Sequence, residues 1–78
     1  MRLISLQSSN IASVGYDPAT EEMQVVFQTG EAYRYHGVPA GVYLAVITDP
    51  DSHGKAFASL VRRAGFPYEK IDLPSGHV

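Results

Sequence analysis

The chain has 78 residues, 45% of them hydrophobic and 18% charged, which suits one folded domain and excludes a disordered or low-complexity chain. Six Lys and Arg against eight Asp and Glu leave a formal net charge of −2, the reverse of the balance that a general nucleic-acid coat needs. There is no cysteine, so a disulfide framework, thiolate zinc sites and thiol catalysis are excluded.

The opening run Met1-Arg2-Leu3-Ile4 is too short for a signal peptide, and no stretch approaches the roughly 18 apolar residues of a membrane span. A cytoplasmic protein without membrane contact is expected. Residues 1–7 read as an N-terminal strand or arm, 8–73 as a single domain, and 74–78 as a flexible tail.

From Ile11 to His36 the pattern predicts strands. Ile11-Ala12-Ser13-Val14-Gly15-Tyr16 is β-compatible and is stopped by the turn residues Asp17-Pro18-Ala19-Thr20. Met23, Val25 and Phe27 alternate with Glu22, Gln24 and Gln28, the period of a half-buried strand. Glu31-Ala32-Tyr33-Arg34-Tyr35-His36 is the next strand. A two-residue loop at Thr29-Gly30 would force positive φ on β-branched Thr29. A loop of Gln28-Thr29-Gly30 needs it only at Gly30, and it sets Val25 opposite Tyr33 and Met23 opposite Tyr35. The longer loop is therefore predicted.

Val38–Ile47 suits a buried strand or a short helix. Pro39 in a first turn and a stripe of Val42, Tyr43, Val46 and Ile47 favour the helix. Asp49-Pro50-Asp51-Ser52-His53-Gly54 breaks the chain. Phe57, Leu60, Val61 and Ala64 then form an amphipathic helical stripe, ended by Gly65 with Pro67 beyond. Tyr68–Leu73 reads as an edge strand or an extended tail. The expected fold is α+β, a small antiparallel sheet of three to four strands with two short helices on one face.

Ser8-Ser9-Asn10-Ile11, Val14-Gly15-Tyr16-Asp17, Tyr33-Arg34-Tyr35, Val38-Pro39, Ser52 with Gly54, and Phe57 stand in an order and spacing that resemble the KTSC domain family. That family is named after the C-terminus of some lysyl-tRNA synthetases and also occurs as small stand-alone proteins of bacteria and their viruses. Its hallmark is a central Tyr-x-Tyr, matched here by Tyr33 and Tyr35. The chain departs from it at Ala56 and Ala58, where aromatic and Asn residues are frequent. The resemblance implies RNA, tRNA included, as a partner.

Candidate contact residues fall in two groups. Tyr33 and Tyr35 suit a stacking platform for unpaired bases, but they share the face of Met23, Val25 and Phe27, which assigns them to the core. The opposite face carries Gln24, Val26, Arg34 and His36 and offers a polar, partly basic surface. Lys55, Arg62, Arg63 and Lys70 form a second basic patch, expected to stand free in solvent and to outweigh the tyrosine pair in RNA contact. Ser52-His53-Gly54-Lys55 is read as an ordinary helix N-cap rather than an anion cradle. His36, His53 and His77 lack the spacing of a metal site, and no nucleophile, base and orienting group come together. The expectation is a non-catalytic binding module without a cofactor or small-molecule substrate, its partner RNA. The alternative is a protein-interaction module or small inhibitor that docks on a larger protein.

Overall fold

The computed structural model describes residues 2–49 and 51–72; the expected tail, 74–78, lies outside them. Five strands form one sheet: β1 (Leu3–Ser5), β2 (Ile11–Asp17), β3 (Glu22–Phe27), β4 (Ala32–Tyr35) and β5 (Tyr68–Ile71). Each is antiparallel to the one before it, in the spatial order β1-β2-β3-β4-β5. The α+β class stands, and the expected three to four strands are corrected to five. The two segments that suit a strand or else an arm or tail, 1–7 and Tyr68–Leu73, supply the edges. In β1, Leu3 pairs with Gly15 and Ser5 with Ser13, so part of segment 1–7 belongs to the sheet. In β5, Tyr68 pairs with Tyr35 and Ile71 with Ala32. Such short segments carry little alternation of their own. The backbone of a neighbouring strand is what extends them.

The β3–β4 hairpin has the predicted loop. Gly30 N–H donates to the Phe27 carbonyl at 2.9 Å, and Phe27 N–H to the Glu31 carbonyl at 2.8 Å. Gly30 has φ +95, and Val25 faces Tyr33 while Met23 faces Tyr35. In β2 the register slips between Ile11 and Ser13. This bulge turns Ile11 and Val14, an odd number of positions apart, to the same side, where both are fully buried.

The helical layer is made by α1 (Ala40–Thr48) and α2 (His53–Phe57), the second running directly into a π-helical turn over Ala58–Arg62. In α1, Val46 is buried and Val42, Tyr43 and Ile47 pack partly against the core, as their spacing predicts. The second stripe needs correction. Phe57 and Val61 are buried, but Leu60 is 39% exposed and Ala64 is exposed. The π turn, visible in the Arg63 N–H donating to the Ala58 carbonyl at 3.0 Å, winds more widely than an α-helix. A position four residues on stays over the sheet, while one three residues on rotates away. Gly65, at φ +82, ends the turn as predicted. Among the described residues no helix is long and apolar enough to cross a membrane.

Candidate binding groove

Phe27, Tyr33, Tyr35 and Tyr68 come from three neighbouring strands and, by strand alternation and register, lie on the side that the helices cover. The second helix sends Phe57 down to meet them. Its ring lies edge-on to Phe27 (centroids 5.8 Å apart) and to Tyr35 (5.4 Å). Tyr68 completes the set, edge-on to Tyr33 at 5.9 Å and tilted against Tyr35 at 5.3 Å. Edge-to-face contacts of this kind place the positive ring edge against a negative face, so the cluster holds its geometry. Phe27 is only partly buried, against the expectation that it sits in the core, because its ring lines an open groove as well as packing on the core.

The rings line an open groove of about 600 Å³ between the sheet and the second helix, rimmed by Asn10, Thr29, Glu31 and Arg62. The Tyr33-Arg34-Tyr35 motif divides over it. Tyr35 is 4% exposed and belongs to the core; burial raises the pKa of its phenol, opposed by the nearby Arg62 guanidinium. Tyr33 is half-buried and presents part of its ring to the groove. Tyr68, 63% exposed, is the most open of the rings.

Arg62 is exposed, as expected, but it is also engaged by aromatic rings. Its guanidinium carbon stands 5.5 Å from the Phe57 centroid and 5.9 Å from that of Phe27, so a cation is drawn across the groove by the ring faces. Lys70 is tied to the rim through Glu31, Nζ to Oε2 at 3.3 Å, an exposed pair that contributes little to stability. Lys55 and Arg63 are exposed and do not line the groove. Of the expected basic patch Arg62 alone lines the groove, Lys70 reaches it only through Glu31, and Lys55 and Arg63 stand away from it.

The outer face of the sheet also departs from expectation. His36 is bracketed by carboxylates, Nδ1 3.2 Å from Glu22 and Nε2 3.0 Å from Glu69. Arg34 is half-buried, its Nε shielded and without a hydrogen-bond partner among the described residues, and Gln24 is 8% exposed. With Arg34 half-buried and His36 set between two carboxylates, this face is no open basic surface.

One end of the groove is built by two segments far apart in sequence. Ser8 Oγ accepts from the Ile11 N–H at 3.2 Å and the Asn10 N–H at 3.3 Å. Gln28 ties this turn to the hairpin, its N–H donating to the Asn10 carbonyl at 2.8 Å and its Nε2 to the Ser8 carbonyl at 3.1 Å. Gly54 of α2 comes so close that a Cβ there would lie 3.3 Å from Asn10 Nδ2. Ser52 is the predicted N-cap, its Oγ accepting from the Lys55 N–H at 3.1 Å. Asp49 Oδ1 accepts from the Asp51 and Ser52 N–H groups, both at 2.8 Å, and these bonds hold its carboxyl below the usual carboxylate range. Sequence reasoning passed over Asn10, Thr29, Glu31 and Tyr68 as site residues. The one signal for them was that Asn10 and Gly54 both stand in the segments that carried the family resemblance.

The chain is similar to known proteins in sequence and in fold. A model of the KTSC domain matches residues 7–66 of the chain. An uncharacterized protein of Stutzerimonas stutzeri (strain A1501) is 38% identical over 72 residues, which are 92% of this chain and 100% of that protein. The crystal structure of a KTSC domain protein from Yersinia pestis superposes with a TM-score of 0.81 at 30% identity, covering 90% of this chain and 96% of that one.

Proposed function

The chain belongs to the KTSC domain family, and on that premise we propose that it is a non-catalytic RNA-binding module whose aromatic groove takes an unpaired stretch of the strand. The observation that carries this reading is the convergence of Phe27, Tyr33 and Tyr68 with the Arg62 guanidinium along one open groove. Base stacking on aromatic rings contributes about 1–3 kcal/mol per base and tolerates any sequence, because every base has a π face. A groove of this kind binds a strand with few cations, which fits a chain whose net charge is −2. Of the four cations in the predicted basic patch, this reading assigns phosphate contact to Arg62, which lines the groove, and to Lys70, held near its rim by Glu31.

The test is the fluorescence anisotropy of a labelled single-stranded RNA hexamer, titrated at several salt concentrations. Arg62→Gln should weaken binding and lower the salt slope by about 0.7, the contribution of one phosphate contact on a single strand, whereas Arg63→Gln should leave both near wild type. Tyr68→Ala should weaken binding while the melting temperature changes little, since its ring is largely exposed. Equal loss from Arg62→Gln and Arg63→Gln would move the site from the groove to a diffuse charged surface. Absence of binding by the wild type would favour docking on a protein, for which Leu44 and Leu60, exposed on the helical layer, are the observation in hand.

A further inference from the structure

We infer that the groove prefers guanine among the four bases, and that Glu31 reads it. The inference rests on the RNA-binding reading above and names the base that the groove selects. Among the described residues, Glu31 is the one acidic side chain that lines the groove. It precedes β4 and stands beside Tyr33, so a base stacked on that ring would turn its polar edge toward the carboxylate. Lys70, bonded to Oε2 at 3.3 Å, restrains the carboxylate at the rim and leaves acceptor sites on both oxygens.

An ionised carboxylate only accepts hydrogen bonds, and it accepts best from two donors side by side. On the pairing edge of guanine, N1–H and the exocyclic N2 amine are such a pair. Adenine sets its N1 lone pair there and would be repelled. Cytosine offers one donor group next to a lone pair, and uracil one N–H between two carbonyls. Asn10 and Thr29, also on the rim, supply the donors that a guanine O6 or N7 needs. Arg62 lies across the groove over Phe27 and Phe57, placed to meet the phosphate of the same nucleotide.

The experiment uses labelled RNA hexamers of uridine carrying a single guanosine, inosine, adenosine or cytidine at the third position, with hexauridine as reference, each titrated by anisotropy. The guanosine hexamer should bind roughly tenfold or more tightly than the adenosine one, the discrimination that a good bidentate pair provides. Inosine, which lacks the N2 amine, should fall between them. Glu31→Gln, a conservative change at an exposed residue, should bring the four substituted hexamers within about twofold of one another, whatever the loss of its charge does to the binding of all hexamers alike. Equal binding of the hexamers by wild type, or a guanosine preference that survives Glu31→Gln, overturns the base assignment and leaves RNA binding standing. No binding of any hexamer overturns both.

Discussion

Phe57 and Phe27 touch the same rings but stand on opposite sides of the boundary between core and groove, which makes their truncations a sharp test. Phe57 is 2% exposed and packs edge-on against Phe27 and Tyr35, with Arg62 over its face. Phe57→Ala removes a fully buried ring beneath the second helix. The cost should be about 3–5 kcal/mol. A domain of 78 residues has about 4–12 kcal/mol in total, so this variant should be close to unfolding. Phe27 is only half-buried, so Phe27→Ala forfeits part of a ring's burial, about 1–2 kcal/mol. Urea unfolding followed by circular dichroism measures both, with Phe57→Leu as a milder variant that keeps the transition in range. The ranking should be Phe57→Ala, then Phe57→Leu and Phe27→Ala, with only Phe27→Ala combining a retained fold with lost RNA binding. If Phe27→Ala destabilises as much as Phe57→Ala, then Phe27 is core, and the floor of the groove has been misassigned.

The glycines give a paired prediction of opposite sign. At Gly30 a Cβ meets nothing within 4 Å, yet φ is +95, so Gly30→Val should cost about 1–2 kcal/mol through backbone strain alone, whereas Gly41→Ala, in helix α1 and equally uncrowded, should stabilise by about 0.5–1 kcal/mol; paired thermal melts decide it. Acid stability tests Asp49, whose pKa is lower in the folded chain than in the unfolded one, chiefly through the Ser52 and then the Asp51 N–H bonds. Its contribution is therefore present above the ordinary aspartate pKa and lost as pH falls through the lowered value, and Asp49→Asn should flatten the stability-against-pH curve over that acidic window alone.

What the sequence determined by itself was local. Alternation in Met23, Val25 and Phe27 and the intolerance of Thr29 for positive φ were enough to set the β3–β4 register, because a hairpin is decided by residues within reach of one turn. The Val42-to-Ile47 stripe and the Ser52 cap were legible for the same reason. Tertiary structure decided the rest. β1 and β5 are strands because a neighbour's backbone pairs with them. Leu60 faces solvent because the second helix widens into a π turn, which no i+3 pattern reveals. Arg62 is exposed, as its pattern predicts, but only the fold sets Phe27, on a strand, beside Phe57, on a helix, and gives the cation ring faces to lie across. Asn10 and Gly54 meet only once the sheet and helix layer close, so the groove's rim has no contiguous trace in the chain. Patterning reports which face an element buries; a site assembled from the sheet, the turn before β2 and the second helix depends on distances that the folded backbone alone sets.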